Sequence, residues 1–160
     1  MDGCFRQAPT PAQGDGQDQP LYRRRIRADR GRGSTVILDT NGLSAVADGE
    51  AALEPILRKA AQIAIPVIVL GEYRYGISHS RDRKHYEKWL TEYLPKFRIL
   101  DVDERTTIPY AAVRTELRWA GTSIPSNAVW IAALCRQHSL PLLSRDRHFD
   151  AVPGLRRLEW

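Results

Sequence analysis

Thr35-Val36-Ile37-Leu38 is an unbroken run of β-branched and aliphatic residues with no polar alternate, so both faces of this segment need cover. A strand with one wet face would alternate. A strand apolar on both sides belongs in a parallel sheet layered between helices, and this one ends abruptly on an acid, Asp39, in Asp39-Thr40-Asn41-Gly42. The chain ahead of it has a different character. Of the 24 basic and 19 acidic residues in the 160-residue chain, which give a net charge of +5, residues 1–34 hold seven Arg and four Asp. Most of the positive excess therefore lies in a segment rich in Gly, Pro, Gln and Arg that has too few apolar side chains to offset the entropy of ordering it. Residues 1–34 are read as a disordered basic N-terminal extension, and 35–160 as one domain with one core. The Arg23-Arg24-Arg25-Ile26-Arg27 run suits either a phosphate-touching arm or a merely solvated extension. No apolar core of a signal peptide follows it.

The apolar run Ile63 to Leu70 is too short to span a bilayer and contains Pro66, which argues against a membrane protein. Two cysteines, Cys4 and Cys135, give neither a disulfide framework nor zinc spacing, and a reducing cytoplasmic setting is expected.

Beyond Asp39 the pattern predicts a helix over 50–62, with Ala52, Ile56, Leu57 and Ala60 on one face. Pro66 to Leu70 then reads as a strand or a buried helix start. Helices follow at 73–78 and 83–94, the latter stopped by Pro95, then a strand at 97–100 and a helix over 103–120 ended by Gly121. Asn127 reads as the N-cap of a helix over 128–138, with last strands at 141–144 and 155–158. This alternation is that of an α/β fold: a central parallel sheet of four or five strands with helices on both faces.

Ligands in such sheets bind at the carboxyl ends of strands. Asp39 follows the first strand directly, Glu72 comes two residues after the run ending at Leu70, and Asp146 two after Ser144. Three carboxylates meeting at one rim repel one another, a cost relieved by a hard cation such as Mg²⁺ or Mn²⁺. Such an ion can bind a phosphate oxygen and activate a water for phosphodiester hydrolysis. Singly, each acid has a plainer reading: Asp39 as a helix or turn cap, Glu72 as a first-turn acid favoured by the helix dipole, Asp146 as part of a solvated Arg-Asp-Arg loop.

Four blocks in order carry a resemblance: Val36-Ile37-Leu38-Asp39-Thr40-Asn41; Pro66-Val67-Ile68-Val69-Leu70-Gly71-Glu72-Tyr73-Arg74-Tyr75-Gly76; Trp130-Ile131-Ala132-Ala133; and Leu142-Leu143-Ser144-Arg145-Asp146-Arg147-His148-Phe149 with Val152-Pro153-Gly154-Leu155. Together they resemble the PIN-domain ribonucleases and, within them, the VapC-type toxins of bacterial toxin–antitoxin pairs, over about residues 35–160. The resemblance implies a three-layer α/β/α domain and Mg²⁺- or Mn²⁺-dependent endoribonuclease activity. It also implies a homodimer, and neutralisation by a cognate antitoxin protein.

Carried over by position, Asp39, Glu72 and Asp146 match acids of that family's metal site, with Thr40 or Ser144 orienting them through a hydroxyl. The family pattern places another Asp three residues before the Ile of Ile-Ala-Ala, where this chain has Ala128, whose methyl group binds no ion. The neighbouring Asn127 points about 100° away on the helix and is neutral, leaving its amide oxygen a weak contributor. Glu116, on the apolar side of its helix, is either a replacement ligand or a rim acid paired with an Arg. Arg74, Arg145 and Arg147 beside the acids suit RNA phosphates, or are ordinary surface charge. Tyr73, Tyr75, Tyr86, Trp89 and Tyr93 suggest an aromatic surface for dimer or antitoxin contacts, with core packing as the competing account.

The leading expectation is a metal-dependent endoribonuclease toxin, impaired by Ala128. The alternative is a catalytically inactive module of the same fold that keeps a surface for an antitoxin or RNA. A phosphoacceptor domain using Asp39 is disfavoured, because no Lys follows a later strand to hold the phosphoryl group.

Overall fold

The computed structural model describes residues 34–160; the basic extension expected before them lies outside the described residues. In chain order the elements are β1 (Thr35–Leu38), α1 (Thr40–Ala47), α2 (Glu54–Leu57), β2 (Gln62–Pro66), α3 (Val67–Ser78), α4 (Arg83–Tyr93), β3 (Arg98–Leu100), α5 (Thr107–Trp119), α6 (Ser126–His138), β4 (Leu142–Leu143) and β5 (Arg157–Leu158). The strands form one five-stranded sheet in the order β3-β2-β1-β4-β5, with all four pairings parallel. β1 is central, pairing Val36 with Ile63 on one side and Ile37 with Leu142 on the other. Consecutive residues Val36, Ile37 and Leu38 are all buried, which requires cover on both faces and bears out the reading of the strand.

Chain order reverses at β1, since the connection to β2 leads one way and β4 lies on the other side. The crevice beyond the carboxyl ends of β1 and β4 is thus the sheet's switch point, the position where open α/β sheets accommodate ligands.

Two expected elements are redrawn. The helix expected over 50–62 shrinks to a 3₁₀ turn at Ala51–Leu53 and the short α2, and Gln62–Pro66 is strand. The apolar run from Ile63 to Leu70 is therefore split: strand up to Pro66, then helix from Val67, so the buried helix start is the one of the two readings that holds. A continuous apolar run has no period to separate the two states, and Pro66 marks the change because it ends the ladder and suits the entry to a helix. α1 is also added. Asp39 accepts the Thr40 N–H through its carboxylate at 2.6 Å and caps it.

Gly42 on α1 is where helix and sheet approach most closely, since a Cβ there would lie 2.9 Å from the Leu143 carbonyl oxygen of β4. Of the aromatic residues expected at a surface, Tyr73, Trp89 and Tyr93 are buried, and Trp89 stacks on Tyr93 and meets Tyr73 edge-on. They belong to the core. Tyr75 is exposed, and Tyr86 is half-buried with its hydroxyl donating to Asp48.

Gly42→Ala should force α1 away from β4 and destabilise the fold by about 1–3 kcal/mol. Urea unfolding followed by circular dichroism checks this; an unchanged midpoint would show that the α1–β4 contact yields without cost.

Candidate active site

Asp39 sits where β1 becomes α1, buried to 6% exposure, one of the few polar side chains in the interior. Its neighbours satisfy it fully. Oδ1 accepts the Thr40 N–H, while Oδ2 accepts the Ser144 hydroxyl at 2.9 Å and the Asn41 amide at 2.9 Å. Ser144, wholly buried at the end of β4, also accepts the backbone N–H of Asp146 at 2.9 Å. One hydroxyl thus ties the acid after β1 to the loop after β4.

Glu72 reaches the same place from the second turn of α3, so it is neither a post-strand residue nor a first-turn acid. Thr40 donates its hydroxyl to Oε2 at 2.5 Å, and Asn127 donates its amide to Oε1 at 2.7 Å. Asp146 caps the 3₁₀ turn Arg147–Ala151, accepting the His148 N–H at 2.9 Å, with the His148 ring nitrogen 2.8 Å away. The structure therefore brings Asp39, Thr40, Glu72, Asn127, Ser144 and Asp146 into one connected hydrogen-bond network.

The network has an electrostatic consequence. Burial raises the Asp39 carboxyl from its ordinary 3.8 to about 6; the Thr40 N–H and the Ser144 hydroxyl oppose the rise, and the charges of Glu72 and Asp146 add to it. A buried carboxylate whose proton affinity is raised by burial and by two neighbouring acids marks a point where positive charge is wanted.

Other expected participants are placed elsewhere. Glu116 is not a spare ligand: Arg136 takes its two oxygens, at 2.9 and 2.5 Å, and holds its carboxyl below the ordinary range. Such a fork-to-fork pair leaves little for an ion. Arg145 pairs with Glu50 and lies over the Trp160 ring, 4.4 Å from its centroid, whereas Arg74 and Arg147 are exposed. Asn127 is not the N-cap, because α6 begins one residue earlier at Ser126 behind Pro125, and this frees its side chain to reach Glu72. It does so through the amide nitrogen rather than the oxygen. Ala128, the next residue, is buried in the core. Cys135 is buried too, its thiol pushed up to about 12 by burial, which makes it inert.

Asn41 is the participant that the sequence left without a role. Besides its bond to Asp39, its Oδ1 accepts the Arg145 N–H at 3.1 Å and its amide reaches Ser144 at 3.2 Å. The only signal for it was its place two residues after the acid, where Asn commonly organises a turn.

A PIN domain is matched over residues 36–155. The chain belongs to the PIN-domain family. It is 31% identical over 106 residues to ribonuclease VapC2 of Rickettsia felis, a match covering 66% of this chain and 79% of that relative. With ribonuclease VapC4 of Mycobacterium tuberculosis it shares 30% identity over 93 residues, 57% of this chain and 72% of the relative. Its fold is similar to the crystal structure of VapBC2 from Rickettsia felis bound to a promoter DNA fragment, with a TM-score of 0.69 and 27% identity over 79% of this chain and 98% of that one. These matches make it a PIN-domain protein of the VapC type, as the sequence blocks implied.

PIN-domain ribonucleases imply a divalent cation, and the donor set can be tested for one. The carboxylates of Asp39, Glu72 and Asp146 are hard oxygen donors, and Asp39 is held at an elevated proton affinity by burial and by the acids around it. Among the described residues no group of three acid, His or Cys side chains forms a ready cage. An ion here would be held by carboxylates together with waters and substrate phosphate rather than by a closed protein cage. The residues fit the ion.

Because the folded chain holds the Asp39 proton more tightly than the unfolded chain, the metal-free protein draws stability from it below about pH 4 and loses it as the pH rises through 6. The shift corresponds to about 3 kcal/mol. Melts in EDTA should show wild-type stability falling relative to Asp39→Ala between pH 4 and 7, with millimolar Mn²⁺ recovering the loss at pH 7; a difference that grows with pH instead would contradict the assignment.

Proposed function

We propose that this PIN-domain protein is the toxin of a toxin–antitoxin pair and cleaves RNA endonucleolytically with Mg²⁺ or Mn²⁺ held by Asp39, Glu72 and Asp146. The observation that carries this is the buried Asp39, joined through Thr40 to Glu72 and through Ser144 to Asp146, at the switch point of a parallel sheet. A divalent ion bound there supplies positive charge for a phosphodiester oxygen and acidifies a water.

The chain's own residues prepare the site. Ser144 and Asn41 fix the Asp39 carboxylate by donating to one of its oxygens, which keeps the other aligned by the α1 backbone. Thr40 and Asn127 donate to the two oxygens of Glu72 and so fix the position of its carboxylate. Arg74 and Arg147, exposed near these acids, are suited to offset the repulsion between an acidic site and an RNA strand. Arg145 is less available, being paired with Glu50.

An antitoxin protein as partner is supported by the similar VapBC complex, and the homodimer rests on the family resemblance. Among the described residues no helix is long and apolar enough to cross a membrane, which is consistent with the cytoplasmic setting proposed from the cysteine content.

Ala128 favours a second reading. Its methyl group stands where the family pattern has an acid, so the chain is either a slowed nuclease or a binding module without turnover. Removing one well-placed catalytic stabiliser commonly costs about 10²–10³ in rate. Ala128→Asp should therefore raise Mn²⁺-dependent cleavage of a tRNA pool by about 10²-fold or more. Asp39→Asn should abolish it, as should EDTA. Equal rates for all forms with EDTA without effect would reject the metal mechanism, and failure of the wild-type chain to bind Mn²⁺ at millimolar concentration would favour the binding module.

A further inference from the structure

A groove of about 460 Å³ lies between the end of α5 and the start of α6, edged by Arg114, Thr115, Arg118, Thr122 and Ser123. Arg114 and Arg118 are one helical turn apart on the same face, both exposed. Many arginines of this chain are matched to acids: Arg58, Arg83, Arg136, Arg145 and Arg157 each pair with a carboxylate. Arg114 and Arg118 have no such partner among the described residues, and the one acid of α5, Glu116, is committed to Arg136. Two adjacent uncompensated guanidiniums with three hydroxyls beside them form an oxyanion-seeking surface.

Trp119, which follows Arg118 in sequence and ends α5, is 82% exposed. Trp130, by contrast, is stacked on Tyr110 with ring centroids 3.8 Å apart. An indole left in water beside paired arginines is the combination with which proteins hold single-stranded nucleic acid: guanidiniums follow the phosphates and the ring stacks a base. Along the chain the groove lies close to a residue that touches the acids. Ser123 precedes Asn127 by four residues, at most about 14 Å of chain, and Asn127 donates to Glu72.

We infer that this groove is a docking track for the RNA strand, Arg114 and Arg118 holding phosphates and Trp119 stacking a base a few nucleotides from the bond to be cut. The inference rests on the ribonuclease reading above. It differs from an apolar protein contact in what it requires, because Ile108, also exposed on α5, would then matter as much as the arginines.

The test is fluorescence anisotropy of the full chain with a labelled single-stranded RNA of about 12 nucleotides, in EDTA to prevent cleavage. The Arg114→Ala/Arg118→Ala double variant should weaken binding at least tenfold and reduce the slope of log affinity against log salt by about 1.4. Trp119→Ala should weaken it by about fivefold or more without changing that slope. Lys84→Ala/Lys88→Ala, which removes the same charge from α4, should leave affinity within about twofold, since it lies outside the track. In cleavage assays with Mn²⁺ the groove variants should raise KM and leave kcat near wild type. Unchanged affinity in the groove variants, with the wild type binding and cutting RNA, overturns the track alone. A wild type that neither binds nor cuts RNA overturns the ribonuclease reading and the track with it. Loss of a dimer in Trp119→Ala with RNA affinity intact assigns the face to protein contact and overturns the inference.

Discussion

Burying the Asp39 carboxylate beside two other acids is the constraint around which the rest of the domain is arranged. A lone ionised carboxylate removed from water is costly unless it is hydrogen-bonded or paired, and here the three donors are the backbone of Thr40, the hydroxyl of Ser144 and the amide of Asn41. None is cationic. A Lys or Arg in that place would have neutralised the acid permanently and closed the site to an ion. Neutral donors fix its geometry and leave its charge uncompensated, so burial still holds the carboxyl near 6.

The fold supplies this arrangement through the reversal of strand order at β1. Because β1 and β4 are parallel neighbours, their carboxyl ends emerge together, and Asp39 meets Ser144 although 105 residues separate them. Gly42 allows α1 to lie close enough to β4 for that contact, and Asn41 bridges the two segments from its own position one residue earlier. At the far side of α6, Arg136 grips Glu116 of α5 and the Pro153 carbonyl together, so the two long helices and the chain between β4 and β5 are held as one body. The separation of roles follows from charge. Fully paired acids such as Glu116 serve the scaffold, whereas acids held by neutral groups are left for chemistry.

Much of this was legible in the residues. The buried strand Thr35–Leu38 and the acid behind it point at once to the sheet type and to a candidate site residue, since a double-faced apolar strand admits few architectures. Glu72 was found for an incomplete reason. Its run looked like strand followed by acid, but Pro66 divides it, and Glu72 arrives on the second turn of a helix instead. Periodicity has no power inside a continuous apolar run, so the strand boundary was not visible there. Asn127 was misplaced as a cap because the sequence offered Asn before an apolar helix, the ordinary capping pattern, whereas Pro125 and Ser126 take up the entry and release the side chain.

The alternation of strands and helices, the parallel sheet, the absence of a fixed cysteine framework and the presence of the three acids beside apolar runs are properties of the chain itself, set by hydrophobic spacing and residue chemistry that act locally. Which acids remain uncompensated is not local. Glu116 and Glu72 look alike along the chain, and only packing gives one an arginine and the other a threonine and an asparagine. The close approach of α1 to β4, the reach of Asn127 and the arginines of α5 that have no acidic partner among the described residues likewise depend on distances between segments far apart in sequence, and those distances exist only once the sheet has formed and the helices have closed over it.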